Sequence, residues 1–264
     1  MQSNLLTTLK SDSPPEALAS LQATLTSLRK DFSPRPFYYA FSGATRHFGR
    51  GPDQIARQIL LLELAKHPRD TYLATLESLL GAADIREAVV ILQTFPHLPE
   101  PEALVPLARE ATRSNVVDIF DAIALDNTFP KDHFPEDAWN QLVLKALFID
   151  RPLYRITGLD HRANPTLAKA ISNLAHERWA AGREINPEAW RCCTPFIATG
   201  TISTDLQSLA SRRSIDKQAL ALVLHQAGPD QLPDLRPSVQ TDIDDVETEK
   251  LTWKSLGESL TRES

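Results

Sequence analysis

Three clusters of polar residues in this chain have types and spacings suited to chemistry. The first lies in the segment 113–127, Arg-Ser-Asn-Val-Val-Asp-Ile-Phe-Asp-Ala-Ile-Ala-Leu-Asp-Asn. Arg113 opens it. Asn115, Asp118 and Asp121 follow at three-residue steps, near one side of a helix whose other side is apolar. Two carboxylates one turn apart can bind a divalent ion, or divide acid and base roles when their pKa values diverge. The same spacing also describes a solvated helix face closed by Asp126 and Asn127.

The second cluster is Asn140, Gln141 and Lys145, set in an otherwise nearly continuous apolar run. A helix apolar around most of its surface belongs at the centre of a fold. A lysine there needs a carboxylate partner or a route to water, and Asp118 or Asp121 is the candidate. Such a pair is either a specificity device or the floor of a pocket. The third cluster joins Asp160 and Arg162 of the segment 158–164 to His176 and Arg183 of the segment 175–183. His176-Glu177 does not open a zinc-protease helix, because position 180 is Ala rather than His. His176, Ala180 and Arg183 share a face, and Asp160 and Arg162 are placed to reach the start of that helix. The alternative is a salt-bridge net that holds the last helices together.

Other signatures are weak or missing. The basic turn 46–50 lacks the Lys-Ser/Thr of a phosphate loop. No Gly-x-Ser-x-Gly element exists. Cys192 and Cys193 are the only cysteines. Their adjacency suits neither a disulfide nor a metal framework, and they read as free thiols of a reducing compartment. No catalytic residue, metal or cofactor is therefore assigned. The candidate ligand cleft is Arg113, Asn115, Asp118, Asp121, Asn140, Lys145, Asp160, Arg162, His176 and Arg183.

The elements that must position these residues read as helices throughout. Helical spacing is clearest over residues 84–95, where Ile85, Val89, Leu92 and Phe95 share a face, Asp84 caps and Pro96 stops. The pattern also predicts helices over 15–29, 34–41, 52–66, 71–80, 102–111, 115–125, 136–148, 164–182 and 214–226, and a short one around Trp190. Asn164-Pro165 and Asn186-Pro187 each supply an N-cap followed by a proline at the first helical position. No alternating strand pattern is bounded by turns. The expected fold is all-α: stacked antiparallel helix pairs in a HEAT-like or irregular array.

The chain has 264 residues, 42% hydrophobic and 23% charged, with 9 Gly and 19 Pro. That suffices for a sizeable core. The net charge of −6 offers nothing to neutralise a phosphate backbone, so nucleic acid is not an expected partner. From 227 to 264 nine acidic residues face four basic ones, leaving −5. This Pro-containing acidic stretch reads as a largely disordered tail, behind an all-helical domain over 1–226. No secretory leader and no transmembrane run is visible, and a cytoplasmic protein is expected.

Several blocks resemble the EboA family. They are Ala-Ile-Ala-Leu-Asp-Asn-Thr-Phe-Pro within 115–130, Trp-Asn-Gln-Leu-Val-Leu-Lys-Ala-Leu-Phe over 139–148, Gly-Leu-Asp-His-Arg-Ala-Asn over 158–164 and Ala-His-Glu-Arg-Trp-Ala-Ala-Gly-Arg over 175–183. Pro-Glu-Ala-Trp-Arg over 187–191 and the stretch 37–46 fit as well. The family's usual Asn-Pro-Tyr-Pro stands here as Asn-Thr-Phe-Pro over 127–130. The resemblance implies a place in a secondary-metabolite gene cluster that also encodes a UbiA-type prenyltransferase, and a link to moving a metabolite precursor across the inner membrane in cyanobacteria. It carries no catalytic residue. The leading expectation is a non-enzymatic accessory protein that binds or traffics a metabolite, or scaffolds partner enzymes such as that membrane prenyltransferase. The alternatives are an enzyme with Lys145 or His176 as base beside Asp118 and Asp121, and an adaptor that works through its acidic tail.

Overall fold

The computed structural model describes residues 2–263. Among these residues the regular structure is entirely helical, as the periodicity predicts. The chain divides into two compact units, Met1–Ile123 and Ala124–Ser264, where the sequence reading places its boundary after residue 226.

The first unit holds α1 (Gln2–Asp12), α2 (Pro15–Lys30), α3 (Pro34–Ser42), α4 (Ala44–Phe48), α5 (Pro52–Leu64), α6 (Arg69–Ala82), α7 (Ile85–Thr94) and α8 (Pro101–Arg113), and α9 (Val117–Ala124) begins in it. Proline opens α2, α3, α5 and α8, where its missing N–H costs no hydrogen bond. Asp84 and Glu87 form a reciprocal capping box on α7. Helix α5 is the hub, packed against α1, α2, α3, α4 and α7. Its apolar side chains Ala56, Ile59, Leu60, Leu61 and Leu64 are buried. It also buries two acids. Asp53 accepts from Thr45 Oγ1 (2.6 Å), Arg57 (2.7 Å), Arg86 (3.1 Å) and the Gly51 N–H (2.9 Å). Glu63 accepts from Arg29, Lys66 and Gln2. Burial alone would raise the Glu63 carboxyl, but these donors outweigh it and hold the pKa to about 2.

The second unit continues with α10 (Phe129–His133), α11 (Glu136–Phe148), a 3-10 turn (Leu153–Arg155), α12 (Pro165–Ala180), a 3-10 helix (Pro187–Phe196), α13 (Ile202–Leu209) and α14 (Ser214–Ala227). Asn164 caps α12 by accepting from the Leu167 N–H. Helix α14 is the hub here. It buries every residue from Ala219 to Leu224 and packs on the 3-10 helix and on α13. A helix apolar all round is a central one, so its environment goes beyond the one-sided face that the sequence suggests.

The tail departs from expectation. A 3-10 helix (Pro233–Val239), α15 (Gln240–Glu247) and α16 (Trp253–Glu263) occupy the stretch read as largely disordered. Val239, Ile243, Leu251 and Leu256 are 8% exposed or less. Both α15 and α16 pack on α14. The physical reason is spacing. A few well-placed apolar residues anchor short helices whose acidic side chains remain toward water, and mean composition hides them.

Candidate functional site

An open, mainly apolar groove of about 520 Å³ lies between α6, α7 and α8 in the first unit. That volume is within the ordinary range for small-molecule sites. Each wall is one helix face. Glu77, Leu80 and Gly81 come from α6 at i, i+3 and i+4, and Ala88 and Leu92 come from α7. Leu107, Glu110 and Ala111 come from α8, and Ile119 of α9 completes the lining. Gly81 matters for shape, because a Cβ placed there meets nothing within 4 Å and would project into open space. Ile85, 47% exposed, continues the α7 face one turn before Ala88. At the rim Arg113 pairs with Glu110 (3.4 Å), a solvent-exposed contact of small energetic weight.

Of the residues singled out from sequence, Arg113 lines this groove. Asn115 precedes α9 rather than lying within it. Asn115 and Asp118 are exposed and Asp121 is half-buried. Among the described residues no group of three or more His, Cys, Asp and Glu is arranged to hold a metal ion.

The second unit distributes its share over separate contacts. Asn140 and Asn164 exchange side-chain amide hydrogen bonds (2.8 and 3.2 Å), and Asn164 also donates to the Arg162 carbonyl (3.2 Å). The Arg162 guanidinium donates to the carbonyls of Pro130 and Lys131 (2.8 and 3.2 Å) and lies 4.9 Å from the Trp139 ring centre. Burial lowers its pKa, against the pull of Glu136 and Asp132. Asn140 and Arg162 are therefore brought together. Asp160 instead forms a two-pronged pair with Arg191. His176 Nε2 lies 2.6 Å from Asp205 Oδ1, and the other oxygen of Asp205 accepts from Ser172 (2.5 Å). The carboxylate sits between serine and imidazole, so the imidazole does not contact the hydroxyl as a base would have to. Lys145 is half-buried, and desolvation lowers its pKa. Arg183 is exposed in the turn after α12.

Sequence reasoning missed Glu188, Arg191 and Asp205. Glu188 is 1% exposed and accepts the backbone N–H groups of Leu153 (3.1 Å) and Tyr154 (2.6 Å). Burial raises its pKa to about 7. Its signal in sequence is only the capping position after Asn186-Pro187. Asp205 lies on α13, a helix the periodicity did not reveal. Both cysteines are free and buried, and burial pushes the Cys192 thiol up to about 12 and Cys193 well above its ordinary value. Neither is a nucleophile at neutral pH.

Fold and groove together define an all-helical protein with a ligand-sized apolar recess. The family model described as "Metabolite traffic protein EboA" matches residues 51–194, more than half of the chain. The chain belongs to the EboA family. No curated protein and no solved structure matches it. Among the described residues no helix is long and apolar enough to cross a membrane.

Proposed function

We propose that this chain is a non-catalytic accessory of metabolite traffic that holds a small, largely apolar molecule in the α6–α7–α8 groove. The family's metabolite-traffic description supports the role. The observation that carries it is the groove itself: about 520 Å³, lined mainly by Leu, Ala and Ile side chains, inside the matched region. The polar residues first taken as a cleft support this less well, since Asn140, Asp160, Arg162 and His176 are engaged in contacts that tie one element to another. The reading treats the first unit's helices as a HEAT-like stack whose grooved face receives the ligand. The recipient of the cargo would be an enzyme of the same gene cluster, such as the UbiA-type prenyltransferase.

The test uses the neutral apolar dye Nile red and the substitution Gly81→Leu. The new side chain grows into the groove from a position with no neighbour to displace. Wild type is expected to bind one dye saturably, and Gly81→Leu to bind at least tenfold more weakly with an unchanged circular dichroism spectrum. A native mass spectrum of protein purified from its producer strain should carry a small-molecule adduct that the variant lacks. Equal dye affinity in both proteins, with no adduct in either, would overturn the proposal.

A further inference from the structure

The first unit holds a second recess of different chemistry. It measures about 300 Å³ and opens between α2, α3, α4 and α5, at the small end of the range for small-molecule sites. Its floor is apolar: Leu21, Phe48, Ala56 and Leu60 line it and are each 9% exposed or less. The rest of the lining is partly polar. Ser20 and Thr24 stand one turn apart on α2, Tyr39 of α3 adds a phenol and His47 of α4 an imidazole. Tyr39 is 68% exposed, which puts its ring at the mouth. The Thr24 hydroxyl is engaged, donating to the Ser20 carbonyl (3.0 Å).

The mouth of this recess is cationic. Arg35, one turn before Tyr39, holds its guanidinium carbon 5.6 Å from the centre of that ring and donates from Nη2 to the phenol oxygen at 3.5 Å. Arg46, His47 and Arg50 follow in α4 and the turn after it, and all three are exposed. From 32 to 52 the chain carries three arginines and one histidine and no aspartate or glutamate, in a protein whose net charge is −6. Among the described residues none of these four side chains forms an ion pair. The next acid, Asp53, is buried and engaged by Arg57 and Arg86. On α2 the flanking acids are Glu16, one turn before Ser20, and Asp31 at the C-terminal cap, and neither lines the recess.

We propose that this recess binds a small organic phosphate, its apolar body on the floor and its phosphate at the mouth between Arg35 and His47. The Ser20 and Tyr39 hydroxyls supply further donors. A phosphate rather than a neutral polar group fits because the cations at the mouth have no protein carboxylate to compensate them, and a guanidinium fork complements phosphate oxygens. Arg46 and Arg50 add to the local positive field that draws the anion in. Recognition is by side chains, since the turn 46–50 lacks the Lys-Ser/Thr of a phosphate loop. No residue lines both this recess and the α6–α7–α8 groove. The ligand is therefore a second one, unlike the neutral apolar molecule assigned to the groove.

The probe is 1-naphthyl phosphate, titrated by its fluorescence into the full chain, with 1-naphthol and inorganic phosphate as comparators. It should bind saturably and at least tenfold more tightly than either comparator. Arg35→Glu and His47→Glu, both at exposed positions, should each weaken it at least tenfold with unchanged circular dichroism spectra. If either reversal disturbs the fold, Arg35→Gln and His47→Gln remove the same charges without adding new ones. Nile red affinity should be the same in wild type and in these variants, and Gly81→Leu should leave naphthyl phosphate binding intact, so failure here is distinct from failure of the groove. A lipid headgroup carries the same phosphate chemistry. Sedimentation with vesicles of equal parts phosphatidylcholine and phosphatidylglycerol separates the two sources, and the protein should stay in the supernatant. Naphthol binding as tightly as its phosphate, affinity indifferent to both charge reversals, or capture by the vesicles without binding of the free probe would overturn the proposal.

Discussion

Glu188 makes the second unit's stability depend on pH in a direction opposite to that of most carboxylates. Its native pKa of about 7 lies above the ordinary 4.5 because burial penalises the ionised form more than its donors relieve it. A carboxyl with a raised native value holds its proton more tightly folded than unfolded. Its contribution is complete below about pH 4.5, is lost as pH rises toward 7, and changes no further above that. The span is worth roughly 3 kcal/mol. Glu188→Gln removes the titration. The amide leaves one of the Leu153 and Tyr154 N–H groups without an acceptor, at a cost of about 1–3 kcal/mol. The variant should therefore be clearly weaker than wild type at pH 5 and close to it at pH 8. Urea unfolding followed by tryptophan fluorescence isolates the effect, because all four tryptophans (Trp139, Trp179, Trp190 and Trp253) lie in the second unit. Contributions from groups common to both proteins cancel in the difference between them. Parallel stability curves from pH 5 to 8 would refute the reasoning.

Three further outcomes are expected. Asp53→Ala leaves the Arg57 guanidinium, 3% exposed, without its closest carboxylate. It should cost the first unit about 3–5 kcal/mol by denaturant unfolding followed by circular dichroism, and a loss below about 1 kcal/mol would contradict the role given to this pair. Gly81→Ala should raise stability by up to about 1 kcal/mol, since it adds a better helix former at a site with no neighbour within 4 Å; a lower melting temperature would show the site to be crowded. Cys192 and Cys193 should resist a thiol-specific chromophoric reagent in the native protein and both react in denaturant. Rapid labelling of the folded chain would place them nearer the surface.

The local code of this chain is legible where periodicity and punctuation agree. The span 136–148 is the observed α11 to the residue, because Pro135 precedes it and its apolar residues continue to the last turn. The Asp84 cap and the Asn164-Pro165 start are likewise where their chemistry requires. Helices α1 and α13 escaped notice because each offers few apolar residues and a weak start signal. The acidic tail misled because charge count outweighed the few anchors that dock it.

The sequence by itself determined the helical class, most helix boundaries and the family, since capping, proline placement and 3.6-residue periodicity act over a few neighbouring residues. Tertiary structure alone decided which polar groups meet. Asp160 pairs with Arg191, thirty-one positions away, and His176 with Asp205, twenty-nine positions away. The groove likewise forms only when faces of α6, α7 and α8 are set beside one another. Polar side chains are satisfied by whatever donor or acceptor packing brings within about 3 Å, and no local spacing encodes that distance.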